Sequence, residues 1–125
     1  MESLSQFTSV RCAVVLSSVI MFIACKKESV PAGNKAPMAF AGKDTVIFYP
    51  ADSAELRGSG TDPDGTITRY AWQQSSGPTD ALIENPNADV TQVKWLAIGV
   101  YQFELKVTDN KGLSGKATVQ VTVDF

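Results

Sequence analysis

The stretch Gly99–Asn110 reads GVYQFELKVTDN, and its period decides the fold class. Tyr101, Phe103, Leu105 and Val107 fall on one side of a two-residue repeat, with Gln102, Glu104, Lys106 and Thr108 on the other. A helix would repeat its apolar positions every three or four residues. Strict alternation instead marks a half-buried antiparallel strand. Working outward, KATVQVTVDF at Lys116–Phe125 repeats the pattern, with Ala117, Val119, Val121 and Val123 alternating against Thr118, Gln120 and Thr122. Between the two lies Asn110-Lys111-Gly112, a hairpin loop whose glycine tolerates positive φ.

Upstream the runs are shorter. MAFAG and TVIFY flank Gly42-Lys43-Asp44; SAELRGS carries Ala54 and Leu56 inward; TITRYAWQQ carries Tyr70 and Trp72 on one face. ALIE and VTQVKWL follow, separated by Asn85-Pro86-Asn87. No ten-residue stretch shows a helical stripe and no segment repeats. Short strands with closely spaced turn signals predict an all-β, two-sheet antiparallel sandwich of about seven strands.

Composition narrows the function. The 125 residues include 11 basic and 13 acidic side chains with mixed signs, so no basic stripe exists to neutralise phosphates, and nucleic acid is not an expected partner. Histidine is absent, which removes the usual general base and the commonest transition-metal ligand. The two cysteines, Cys12 and Cys25, lie too early to staple the strands. No nucleophile–base pair is visible, and the chain reads as a non-enzyme. The remote alternative, a small hydrolase using Asp62 and Asp64, meets the carboxylate spacing but offers a loop turn in place of a cleft.

The N-terminus reads as an address. Arg11 precedes CAVVLSSVIMFIA, thirteen mostly apolar residues, the length of a signal-peptide core and short of the roughly 20 a spanning helix needs. The run closes on Phe22-Ile23-Ala24-Cys25. This resembles a bacterial lipoprotein signal peptide, in which a small residue precedes the cysteine that is lipidated and becomes the new N-terminus. Ala24 and Cys25 match; Phe22 departs from the usual leucine. The resemblance implies residues 1–24 as signal peptide, Cys25 as the lipidated residue, and membrane attachment through its acyl chains. Lys26 stands where an aspartate would cause inner-membrane retention, which implies the outer membrane or cell surface. Residues 25–36 form a polar tether, KKESVPAGNKA after the cysteine, reaching up to about 35 Å if extended. Residues 37–125 form the folded domain.

Four markers then occur in fixed order: Ala39-Phe40-Ala41-Gly42 leading into a strand; Leu56-x-Gly58-Ser59-Gly60 before Asp62-Pro63-Asp64-Gly65; Tyr70-x-Trp72-x-Gln74 before Ser76-Gly77-Pro78; and Gly99-x-Tyr101-x-Phe103-x-Leu105-x-Val107-Thr108-Asp109 before Gly112. Their order and spacing resemble the PKD domain, an immunoglobulin-like sandwich, in its Tyr-x-Trp-x-Gln-x-Ser-Gly-Pro variant. The acidic Trp-Asp-Phe-Gly-Asp-Gly turn of the commonest pattern is replaced here by Trp72-Gln73-Gln74-Ser75-Ser76-Gly77-Pro78. Trp72 and Tyr101 read as structural core, the tyrosine as a corner whose hydroxyl bonds to the preceding turn.

TDPDG has two readings. As turn chemistry, proline suits the second position, aspartate bonds its own backbone and glycine takes positive φ. As a metal loop it is not an EF-hand, because position 6 counted from Asp62 is Ile67 and position 12 is Gln73. The resemblance implies a different arrangement, known in some PKD domains attached to secreted proteases, with Ca²⁺ at one pole on Asn34 or its neighbours, Asp62, Asp64 and Asp109. Trp95 also has two readings: a ring folded over the sandwich end, or a partly exposed indole able to stack on a sugar or anchor a protein. The expected function is a non-catalytic binding or spacer module for an envelope protein or polysaccharide. The alternative is an accessory module that holds substrate for a secreted hydrolase, with Trp95 as the contact.

Overall fold

The computed structural model describes residues 33–125. The expected signal peptide, the expected lipidation residue Cys25 and the first part of the expected tether lie outside the described residues. Lys35–Phe125 forms one compact unit, which carries all the strands described below.

Among the described residues nine strands occur: β1 (Met38–Phe40), β2 (Thr45–Phe48), β3 (Ala54–Arg57), β4 (Ser59–Thr61), β5 (Ile67–Ser76), β6 (Leu82–Ile83), β7 (Val90–Lys94), β8 (Gly99–Asp109) and β9 (Ser114–Asp124). They form a four-stranded sheet β2-β9-β8-β5, a three-stranded sheet β3-β7-β6 and a two-stranded ribbon β1-β4. SAELRGS, read as one strand, is split at Gly58, where β3 leaves its partner β7 and β4 begins to pair with β1. One pairing departs from an all-antiparallel sandwich: β2 runs parallel to β9, with Thr45 opposite Val121 and Phe48 opposite Asp124.

The alternation in β8 becomes burial. Tyr101, Phe103, Leu105 and Val107 are all fully buried, and β9 answers with Val119, Val121 and Val123. Register makes these direct neighbours: Tyr101 opposite Val121, Phe103 opposite Val119. On the other flank Leu105 pairs with Trp72. Ala54, Leu56 and Val93 close the core from the three-stranded sheet. The rings of Tyr101 and Phe103, two residues apart on one face, stack with centroids 6.2 Å apart. Trp72 donates from Nε1 to Ala88 O at 2.9 Å, and a Cβ on Gly58 would lie 2.8 Å from its ring, so Gly58 makes room for the indole. The Tyr101 hydroxyl accepts from Ala97 N–H at 2.8 Å in the turn ahead of β8 and bonds Thr79 Oγ1 at 2.7 Å. Gly112 in the β8–β9 hairpin has φ 93°.

Candidate functional site

Both TDPDG and the β8–β9 hairpin lie at the pole where β8 ends. The turn joins β4 to β5, and the hairpin follows Asp109. Asn110 ties them together: its Oδ1 accepts Thr66 N–H at 3.2 Å and its own N–H donates to Thr66 O at 3.0 Å. Gly65 does not take positive φ, contrary to the turn chemistry expected of it. Its role is space, because a Cβ there would collide with Asn110 Oδ1 and lie 2.8 Å from Asp62 Oδ2.

The three aspartates share one arrangement. Asp109 is 2% exposed; its Oδ1 accepts Lys111 N–H at 2.8 Å and Leu113 N–H at 2.9 Å, which fixes the hairpin. Asp62 Oδ1 accepts Asp64 N–H at 3.4 Å, and Asp64 Oδ2 accepts Lys35 N–H at 2.8 Å. In each case the other oxygen (Asp62 Oδ2, Asp64 Oδ1, Asp109 Oδ2) is buried without a hydrogen-bond partner. Buried carboxylate oxygens normally find donors, and three that do not are a distinct feature. Asn34, the fourth expected ligand, falls outside the strand-bearing unit Lys35–Phe125. In chemical type the three free carboxylate oxygens suit a hard divalent cation such as Ca²⁺. Among the described residues no three His, Cys, Asp or Glu side chains gather closely enough to hold a metal by themselves. A cation here would therefore complete its shell with main-chain carbonyls and water, as calcium's irregular coordination permits.

The charges respond to this crowding. Burial, the adjacent Asp64 carboxylate and the charge of Asp109 together raise the Asp62 pKa above 3.8. Burial pushes Asp64 upward too, but the Lys35 N–H, the neighbouring Asp62 and the Lys111 charge outweigh it and hold its pKa below 3.8. The signs oppose. Asp64 contributes stability above the ordinary carboxylate range that is lost as pH falls through its lowered pKa, whereas ionised Asp62 subtracts stability once pH rises through its raised one. Asp62→Asn is therefore expected to raise the metal-free melting temperature at pH 7 and leave it unchanged near pH 3. A melt series across that range checks this, and an equal change at both ends would contradict it.

Trp95 is not part of this pole. The ten residue steps of β8 from Gly99 to Asp109 separate its loop from Asp109, roughly 33 Å at about 3.3 Å per step. Alternation from buried Val93 would turn Trp95 inward, but β7 ends at Lys94 and Trp95 takes φ 65°, the sole non-glycine residue at positive φ among those described. The indole is 65% exposed. The loop beneath it is held by Leu96 N–H on Asp52 O at 2.9 Å and Ala97 N–H on the Tyr101 hydroxyl.

Sequence reading did not find a third feature, a cleft of about 340 Å³ on the flank of the sandwich. It is lined by Phe40–Lys43, Thr45, Glu55–Arg57, Val119 and Val121, and includes neither Asp62 nor Asp64. Its residues come from three stretches far apart in sequence, so no local motif announces it.

A family profile described as "K319L-like, PKD domain" matches residues 41–123. The mouse Dyslexia-associated protein KIAA0319-like protein is 40% identical over 93 residues, which are 74% of this chain and 9% of that protein. The chain thus corresponds to a small part of such relatives. The solution structure of the PKD domain from KIAA 1837 protein superposes with a TM-score of 0.64 at 35% identity, covering 76% of this chain and 92% of that one. The PKD1 domain from Vibrio cholerae metalloprotease PrtV superposes with a TM-score of 0.54 at 25% identity, covering 73% and 100%.

Proposed function

The chain belongs to the K319L-like PKD domain family, and from that premise we propose that it is a non-catalytic module tethered to a cell envelope, presenting a protein- or polysaccharide-binding surface. The observation that carries this is the extent of the family match, residues 41–123, which takes up nearly all of the strand-bearing unit. The acids that a hydrolase would need stand in a turn stitched to a hairpin, away from the flank cleft. Cys25, preceded by Ala24 and followed by Lys26-Lys27, supplies the anchor as a lipidated residue, placing the domain at the outer membrane or cell surface. At the tethered pole the free oxygens of Asp62, Asp64 and Asp109 contribute to a Ca²⁺ site whose shell main-chain carbonyls and water complete, and because Asp64 bonds Lys35 the ion stiffens the start of the domain.

One observation favours the accessory-module reading as a second. A bulky residue at positive φ is strained by about 1–3 kcal/mol, and strain of this kind concentrates at ligand-contacting positions. Trp95 carries it while displaying its indole. Two measurements test these readings. Cys25→Ser is expected to shift the protein from the membrane to the soluble fraction and abolish acyl labelling; wild type without acyl label would sink the anchor. Sedimentation with insoluble polysaccharides, lost in Trp95→Ala, supports the accessory reading, and capture of an envelope protein indifferent to Trp95→Ala favours the first.

A further inference from the structure

We propose that the flank cleft is a strand-addition site for an extended peptide bearing an aliphatic side chain next to an acidic one. The proposal deepens the binding-module reading and rests on it, but not on the anchor.

Two independent observations meet there. The first is an open main-chain edge. β3 is an end strand, paired with β7 alone. Gly58 N–H donates to Asp89 O at 2.8 Å one step beyond the Arg57–Val90 pair. Antiparallel alternation then turns Ala54 and Leu56 toward β7 and leaves the N–H and C=O of Glu55 and Arg57 on the free side. Gly42 backs onto Arg57 O, where an added Cβ would lie 2.7 Å away, and closes that end of the slot. Glu55 keeps both groups, a donor and an acceptor, enough for two hydrogen bonds with one residue of an incoming strand.

The second observation is the cleft beside that edge. Its floor is apolar: Ala41, Leu56, Val119 and Val121, each 4% exposed or less. Its volume of about 340 Å³ lies within the range of ligand pockets and accepts a valine- or leucine-sized side chain with room to spare. A strand docked on Glu55 sends alternate side chains toward this floor. The rim fixes the sign of the partner. Lys43 and Arg57 stand against one acid, Glu55, whose Oε1 accepts Arg57 Nε–H at 2.8 Å. Asp44 accepts Gln120 N–H at 2.9 Å and lines a separate cavity with Gln102 and Thr118 rather than this one. The rim is net positive, and an acidic flank on the peptide complements it.

The test uses the full chain in non-ionic detergent and two fluorescein-labelled peptides of alternating valine and threonine, one ending in glutamates and one in lysines. Wild type is expected to bind the glutamate peptide and to slow hydrogen exchange over residues 54–57. The pair Lys43→Glu and Arg57→Glu, both exposed, is expected to weaken that peptide by about tenfold or more and to favour the lysine peptide. Glu55→Pro removes the one N–H that the incoming strand needs and is expected to lose both peptides. Its circular dichroism reports whether it folds, and the charge-reversal pair stands as the test if it does not. Four results would overturn the proposal: no binding of either peptide up to about 1 mM, binding indifferent to charge reversal, displacement of the peptide by a soluble polysaccharide, or self-association abolished by the charge reversal, which would assign the cleft to a second copy. If envelope-protein capture succeeds while the peptides fail, the binding-module reading stands and the cleft falls.

Discussion

Trp72→Ala is expected to leave the domain largely unfolded near physiological temperature. Trp72 is 4% exposed and bridges the two sheets from the centre of β5, against Leu105 in the neighbouring strand. Truncating a buried tryptophan costs about 3–5 kcal/mol in lost transfer energy and cavity. The change also strands Ala88 O, which now accepts the indole N–H at 2.9 Å. Against a total stability of about 5–15 kcal/mol for a domain, that is a large share. The melting temperature should fall by roughly 12 °C or more for a domain of this size. Trp72→Phe keeps most of the apolar volume and loses the hydrogen bond, so it should fall between wild type and alanine. Thermal melts followed by circular dichroism decide the matter: a fall of only a few degrees in Trp72→Ala would mean that the core collapses around the cavity and that Trp72 does not organise the sandwich.

What the sequence revealed follows from how local each feature is. The alternation of β8 and β9 was legible because side-chain direction in a strand is fixed by parity. The same parity places Asp109 with Tyr101, Phe103, Leu105 and Val107, and a carboxylate at such a core-facing position is a sign of special chemistry. Gly65 was read as a conformational glycine and is a steric one, because its neighbour Asn110 lies in a distant hairpin of the sequence. Trp95 escaped the alternation of β7 through a single backbone angle that its side-chain type disfavours. The parallel β2–β9 pairing and the flank cleft were illegible for one reason: both arise where distant segments cross, and nothing in TVIFY or AELR alone fixes its neighbour.

Calcium is expected to raise the melting temperature of the wild-type protein substantially, and Asp109→Asn to abolish the effect while preserving the fold. The separation of the two outcomes rests on the division of labour within that side chain. Oδ1 accepts Lys111 N–H and Leu113 N–H and shapes the hairpin, a task an asparagine carbonyl also performs; Oδ2 is the buried oxygen without a partner, and its charge is what the amide removes. Extracellular calcium modules bind with Kd of about 10⁻⁴–10⁻³ M. At about 10 mM Ca²⁺ such a site adds about 1.4–2.7 kcal/mol to the folded state, or about 6–20 °C for a domain of this size. Mg²⁺ should do less, because it demands regular octahedral geometry and dehydrates reluctantly. Acid should weaken the effect, since a proton competes for Asp62, whose pKa is raised by burial and by its acidic neighbours. The increment should therefore shrink as pH falls from 7 toward the carboxylate range, and EDTA should cancel it at every pH. Melting temperatures indifferent to Ca²⁺ and EDTA would show that the three oxygens are held apart by the Lys35, Asp64, Lys111 and Leu113 amides for structural reasons alone. A calcium increment that survives in Asp109→Asn would place the ion elsewhere on the domain.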